Sequence, residues 1–274
     1  TVTATRTVGL APEDGTLLWE YAWENSAHIN VAQPLLVDDH RVFLSASYGK
    51  GAALVFEDAD IKSAVGMIGS VWTFHSGQIC TAPTRAIVHR SVYDHVVEGL
   101  AKMATVLKVG DPLEKDTVIG PLITEAHRNR VEGYIQSGRD EGGEVVTGGG
   151  RPAHLEKGWY LEPTLIANGR PEMKVVQEEI FGPVIVAVPF DDEDEGIAIA
   201  NGTEFGLYDY VFSKDTSRAM RVSRRMRAGN VGINTVQRNQ ETPFGGTKHS
   251  GIGRDGGSFG LDAYTELQSV VWPG

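Results

Sequence analysis

The segment Phe74-His75-Ser76-Gly77-Gln78-Ile79-Cys80-Thr81-Ala82 sets the only cysteine of the sequence in a glycine-containing turn just after a run of helical periodicity. Backbone N–H groups in such a turn are free to point at a ligand and can hold an oxyanion, so Cys80 reads as a thiol nucleophile. The attacking species is the thiolate, and a site of this kind needs backbone dipoles or a neighbouring base to lower the thiol pKa. Spacing alone leaves another reading open, in which Cys80 is a small buried apolar side chain. His75 and His249 have no Cys, His or carboxylate partners at zinc-like spacing, which argues against a metal site. Gly245, Gly246, Gly251 and Gly253 fit neither a Walker pattern nor a strand-to-helix dinucleotide fingerprint, and they read as turn glycines.

The elements that must position this loop follow from periodicity. Asp58 or Asp60 can cap a helix carrying Ile61, Val65, Ile68 and Trp72 on one face and leading into the Cys80 loop. A buried strand, Arg85 to His89, comes next. Ser91 then opens a helix with Val96, Leu100, Met103 and Leu107 inward, ending near Gly110, and Thr124 opens another with Val131 and Ile135 inward, stopped by Gly142-Gly143. Strand-like runs recur at Glu144 to Val146, Pro163 to Ile166, Pro183 to Pro189 and Tyr208 to Ser213. Helices fit Glu193 to Ala200 and Thr216 to Ala228. This alternation predicts an α/β fold. The first ~50 residues lack a helical period and read as short antiparallel strands. Leu17 to Glu20 follows a turn at Glu13-Asp14-Gly15, while Pro34 to Val37 and Arg41 to Ser45 flank Asp38-Asp39.

A chain of 274 residues that is 41% apolar can bury a substantial core. Its net charge of −11, from 36 acidic against 25 basic side chains, argues against nucleic acid as a partner. One cysteine makes no internal disulfide. Apolar stretches such as Val184 to Phe190 are far shorter than a bilayer span, and no charged-then-apolar leader opens the chain at Thr1. The expectation is a cytoplasmic protein without membrane contact.

Downstream of the cysteine loop stand Gln177-Glu178-Glu179-Ile180-Phe181-Gly182-Pro183-Val184, Gly232-Ile233-Asn234 and Pro243-Phe244-Gly245-Gly246-Thr247-Lys248-His249-Ser250-Gly251. With Phe56-Glu57-Asp58-Ala59-Asp60, Val109-Gly110-Asp111-Pro112, Ile119-Gly120-Pro121 and Tyr264-Thr265-Glu266, these strings resemble the aldehyde dehydrogenase superfamily from about Gly51 to Trp272. The resemblance implies an α/β catalytic domain over residues 51–258, an open and mostly parallel sheet with helices on both faces. Residues 259–274 would be an oligomerisation segment, with Tyr264 to Trp272 as the strand that joins an intersubunit sheet in a homo-oligomer. It further implies NAD(P)-dependent oxidation of a small-molecule aldehyde to a carboxylic acid, through a Cys80 thiohemiacetal and thioester. By the same carry-over Glu179 hydrogen-bonds the nicotinamide ribose of NAD or NADP and Phe181 packs near the nicotinamide ring. Phe74, Ile79 and Phe244 line the substrate tunnel.

The resemblance has departures. Family members carry a long stretch before this region that forms most of the cofactor domain, including a lysine that contacts the cofactor and an asparagine of the oxyanion hole. They also have a Glu-Leu-Gly-Gly-Lys string whose glutamate is the general base, where this chain reads Ala46-Ser47-Tyr48-Gly49-Lys50. Residues 1–50 instead resemble a blade of a quinoprotein-type β-propeller, as though a fusion had joined it to a truncated dehydrogenase. The expectation for this chain as it stands is alkylation and slow thiol esterase activity at Cys80 without NAD-linked turnover. The rival is a catalytically inert binding or structural module.

Overall fold

Four consecutive buried side chains in Ala52–Val55 and an almost wholly buried Val184–Phe190 mark strands covered on both faces, which a parallel sheet between helical layers requires. The computed structural model describes residues 6–22, 35–38, 41–43 and 50–273. Near the amino terminus β1 (Arg6–Leu10) pairs antiparallel with β2 (Leu17–Ala22), and β3 (Leu35–Asp38) pairs antiparallel with β4 (Arg41–Phe43). The turn between β1 and β2 matches expectation: Gly15 takes φ 75° and Asp14 accepts from Thr16 N at 2.9 Å. The readings that fall on Pro34, Asp39, Ser45, Ala46, Tyr48 and Gly49 lie outside the described residues.

The main sheet has seven strands: β5 (Ala52–Val55), β6 (Arg85–His89), β7 (Glu144–Thr147), β8 (Thr164–Ala167), β9 (Val184–Phe190), β10 (Tyr208–Phe212) and β11 (Asn230–Ile233). Their order is β11-β10-β5-β6-β9-β8-β7, parallel throughout except for the β7–β8 pair at one edge. Among the described residues six α-helices accompany the strands: α1 (Ile61–Thr73), α2 (Tyr93–Val106), α3 (Glu125–Asp140), α4 (Lys174–Gln177), α5 (Glu193–Asn201) and α6 (Thr216–Ser223). Alternate strand residues feed two cores. Leu54, Ile87 and Val186 meet Val131 and Ile135 of α3, Ile197 of α5 and Val222 of α6. Ala53, Val55 and Val88 meet Ile68 and Trp72 of α1 and Val96 and Leu100 of α2. The open, mostly parallel sheet with helices on both faces is therefore as expected. No helix among the described residues is long and apolar enough to cross a membrane.

Local signals set most boundaries. Asp60 caps α1 by accepting from Ser63 N, and Thr124 caps α3 by accepting from His127 N. Elsewhere the structure departs from the sequence reading. A 3-10 turn at Arg90–Val92 precedes α2, and the helix stops at Val106 because Leu107 turns extended, leaving Gly110 to bond Ile119 O in a loop. α6 ends at Ser223 rather than near Ala228. In the single chain Tyr264 to Trp272 holds the end of a 3-10 turn, Ser258–Tyr264, and then no helix or strand, which leaves the reading of an intersubunit strand untested. Leu267, Val270, Val271 and Trp272 there are exposed.

Candidate active site

The turn that carries Cys80 is built from three successive left-handed residues, His75 (φ 49°), Ser76 (φ 58°) and Gly77 (φ 71°). Two of them are not glycine, and such a conformation persists only where its surroundings hold it. Ser76 is buried and its Oγ donates to Gly120 O at 2.9 Å. Gln78 spans the turn, its Nε2 donating to His75 O at 3.2 Å while its Oε1 accepts from Ile123 N at 3.0 Å. On the far side of Cys80, Tyr210 Oη donates to Thr81 O at 3.0 Å. Gly77 is required on two grounds, since a Cβ there would run into the carbonyl of Gly182. The cysteine turn and the 178–183 loop are thus in backbone contact.

That second loop carries Glu179 and Phe181, and four side chains from outside it hold it. Lys50, buried to 1% exposure, donates from Nζ to Val175 O at 2.8 Å and Glu178 O at 2.7 Å. Arg130 of α3 donates to Ile180 O at 3.0 Å and Glu179 O at 2.6 Å. His127 Nε2 lies 2.7 Å from Phe181 O, and Tyr134 Oη donates to Glu178 Oε2 at 2.8 Å. Phe181 itself is left-handed, at φ 57°. A cavity of about 410 Å³ beside the loop is lined by Arg130, Tyr134, Gln177, Glu178, Glu179, Glu204 and Phe205.

Glu179 is partly covered as a residue, but its Oε1 is sealed from solvent and has no hydrogen-bond partner. Burial pushes its carboxyl up to about 8, against the pull of Arg130 and Lys50. Cys80 feels it: burial first and the Glu179 charge second raise the thiol above its ordinary value. The backbone N–H groups of Cys80 and Thr81 and the Arg238 guanidinium pull it down and are outweighed. The turn's dipoles therefore act in the direction that the sequence suggested, yet the thiol is not the low-pKa group that a free-standing oxyanion loop would give, because the loop is packed.

The remaining sequence-derived positions divide into two groups. Phe244 pairs with Asp255 through both backbone groups, at 2.6 and 2.7 Å, and its ring lies 6.5 Å from that of Tyr208. Cys80 and Phe244 pack against the same apolar cluster, which includes Tyr208 and Tyr210. Phe74 is half exposed with its ring against His75, and Ile79 is partly buried beside Cys80. Sequence reasoning missed Lys50, His127, Arg130, Tyr134 and Arg238. His127, Arg130 and Tyr134 share helical spacing on one face of α3, a signal available in the sequence; Lys50 and Arg238 offer none.

A sequence model of the aldehyde dehydrogenase family matches residues 40–270. The match starts ahead of the boundary near Gly51, and it lends no support to a propeller blade over residues 1–50. A betaine aldehyde dehydrogenase of Sinorhizobium fredii is 42% identical over 226 residues, covering 81% of this chain and 46% of that protein. The chain spans about half the length of the curated relatives it matches. Among solved structures, an aldehyde dehydrogenase of Mycobacterium tuberculosis complexed with NAD+ is similar at a TM-score of 0.80 and 42% identity, over 82% of this chain and 47% of that one. A betaine aldehyde dehydrogenase of Staphylococcus aureus in complex with NAD+ is similar at 0.77 and 39%, over 79% and 43%.

Proposed function

The chain belongs to the aldehyde dehydrogenase family, and on that premise we propose that its Cys80 site serves the oxidation of an aldehyde to a carboxylic acid. The observation that carries this reading is the contact between two clamped loops, which sets Cys80 and the buried carboxyl of Glu179 within electrostatic reach of one another. Cys80 Sγ forms the bond to the carbonyl carbon as its proton leaves to solvent, and the carbonyl electron pair moves onto oxygen. A bound nicotinamide dinucleotide supplies the hydride acceptor that takes this carbon to the acid oxidation level. Water then cleaves the Cys80 thioester, releasing the carboxylate and restoring the thiol.

The residues present suit one end of that cofactor. The unpartnered Oε1 of Glu179 is an acceptor matched to a ribose hydroxyl, and Phe181 stands on the same loop to pack against the nicotinamide ring. NAD is the form we favour over NADP, because the Mycobacterium tuberculosis and Staphylococcus aureus proteins were solved with NAD+. Phe74, Ile79 and Phe244 would border the aldehyde's approach. We read residues 51–258 as the catalytic unit and 259–274 as a segment that pairs with a second subunit, in keeping with its exposed apolar side chains. Betaine aldehyde, in the names of several relatives, is one member of the substrate class.

For residues 1–274 alone the proposal is narrower, since Ala46 stands where the family places its general-base glutamate. This chain carries thiol chemistry without NAD-linked turnover. The test is hydrolysis of p-nitrophenyl acetate alongside NADH formation, in the wild type and in Cys80→Ser. Ester hydrolysis that vanishes in the variant, with no NADH formed, is expected. Hydrolysis indifferent to the substitution would remove Cys80 from the reaction and favour the inert-module reading, and NADH formation dependent on Cys80 would overturn the narrower claim.

A further inference from the structure

The guanidinium of Arg238 sits over the ring of Phe244, with Cζ 3.8 Å from the centroid. Phe244 is fixed on both sides, by its backbone pairing to Asp255 and by Tyr208, and it borders the same apolar cluster as Cys80. Arg238 also lies close enough to Cys80 and to Tyr208 for its charge to stabilise the ionised form of each. Several exposed arginines hold carboxylates, Arg90 with Asp191, Arg151 with Glu132, Arg221 with Glu193 and Arg225 with Asp194, whereas Arg139, Arg224 and Arg227 hold none among the described residues. Among the described residues Arg238 has no such partner. The acid that raises the Cys80 thiol, Glu179, is itself pushed up to about 8 by burial. Among the described residues Arg238 is the one cation whose charge lowers the Cys80 thiol.

Resting on the aldehyde reading above, we propose that Arg238 makes the Cys80 site selective for aldehydes bearing a carboxylate and selective against aldehydes bearing a quaternary ammonium group. Two physical reasons carry this. A quaternary ammonium binds best on an aromatic face, and the face of Phe244 is already taken by a guanidinium of the same sign. A carboxylate meets a planar donor fork that no acid among the described residues neutralises, and Arg–carboxylate pairing is directional as well as electrostatic. The stacked ring limits the guanidinium's freedom, so less order is lost when an anion binds. For an exposed charge within electrostatic reach of the reacting sulfur, a preference on the order of tenfold is expected.

Cys80 is the single cysteine, which gives a probe independent of turnover. Its modification is followed with two methanethiosulfonates of similar size, one ending in sulfonate and one in trimethylammonium. Each transfers its thioalkyl group to the Cys80 thiolate with methanesulfinate leaving. The anionic-to-cationic rate ratio is expected to fall about tenfold in Arg238→Gln and to hold in Arg238→Lys, as a charge effect at ordinary separation requires. In parallel, 4-oxobutanoate, butanal and trimethylammonioacetaldehyde are compared for protection of Cys80 against iodoacetamide. Protection is expected to rank in that order in the wild type, and 4-oxobutanoate should lose its lead over butanal in Arg238→Gln. A reagent ratio unchanged by Arg238→Gln, or protection by the ammonium aldehyde equal to that by 4-oxobutanoate, would overturn the inference. Protection by none of the three, with the ratio still falling, would instead defeat the aldehyde reading while leaving Arg238 as the charge at Cys80.

Discussion

Replacing Glu179 by glutamine isolates one buried carboxyl. The group has an ordinary value of 4.5 and is pushed up to about 8 in the folded chain, so folding favours its protonated form. The unfolded chain releases that proton as pH rises past 4.5, whereas the folded chain retains it until about 8. The stabilising contribution is therefore complete below the unfolded value, declines through the window between them, and is gone above it. Each pH unit within the window is about 1.4 kcal/mol. From pH 5 to pH 8 the wild type should thus lose up to about 4 kcal/mol relative to Glu179→Gln, and about 2–4 kcal/mol once the partly open side of the residue is allowed to hydrate. The variant keeps every other titrating group, so the difference between the two proteins removes their common pH dependence. Urea unfolding followed by tryptophan fluorescence at pH 5, 6, 7 and 8 measures it. Stability curves that run parallel over that range would falsify the assignment of a buried, proton-holding Glu179. A second consequence is read on the same samples: with the carboxylate removed, alkylation of Cys80 should shift to lower pH, because Glu179 is one of the two causes raising the thiol.

Two further substitutions test the clamps. Gly77→Ala should destabilise the fold by about 2–4 kcal/mol, combining a left-handed φ of 71° with a collision at Gly182 O, and a denaturation midpoint unchanged by it would contradict the close approach of the two loops. Lys50→Met strips a donor from Val175 O and Glu178 O and should cost about 2–4 kcal/mol. It should also raise the Glu179 pKa further, since Lys50 is one of the two cations that lower it. A Glu179 window that stays in place in Lys50→Met, measured as above, would show that Lys50 acts on the backbone only.

What could be read from the sequence was what is decided locally. Asp60 and Thr124 announce α1 and α3 because a capping side chain reaches only two or three residues ahead. The end of α2 was misplaced because Leu107 leaves the helix to pass Lys108 O to the backbone of Val118 and Ile119, a pairing across a loop that no helical period reports. β11 escaped notice because four residues on an edge strand, only one of them buried, carry little alternation. The loop clamps were hidden for a different reason. His127, Arg130 and Tyr134 look like the wet face of an amphipathic helix, and only the fold shows His127 and Arg130 turned onto the backbone of residues 179–181 and Tyr134 onto the Glu178 carboxylate. The thiol's raised pKa was beyond reach altogether, since it follows from packing and from a carboxyl remote in sequence.

The position of the site within the sheet explains why such distant residues meet. Lys50, Cys80 and Glu179 precede β5, β6 and β9, three strands that are adjacent and parallel, with Ala52 beside Arg85 and Arg85 beside Val186. Chain segments that enter parallel strands do so at one edge, so these residues are delivered together at the amino-terminal edge. Tyr208, which packs on Phe244, opens β10 on the other side of β5 and arrives at the same edge. Open α/β sheets more often bind ligands outside the carboxyl ends of their strands. In this chain part of that end is closed: Asp58, after β5, accepts from Ser213 Oγ at 2.9 Å and from Asp215 N at 2.8 Å, and pairs with Arg218. Asn234, after β11, donates to Ser213 O at 2.7 Å and accepts from Ser213 N at 3.0 Å. At the amino-terminal end the loop carbonyls are met by side-chain donors, Lys50 on Val175 O and Glu178 O and Arg130 on Glu179 O and Ile180 O, while Ala52 N is taken by Asp209 Oδ1 at 2.8 Å. The register of three parallel strands is therefore what aligns nucleophile, carboxyl and clamp, and a one-residue slip of β6 against β5 would carry Cys80 out of reach of Glu179 while reversing the faces of its buried side chains.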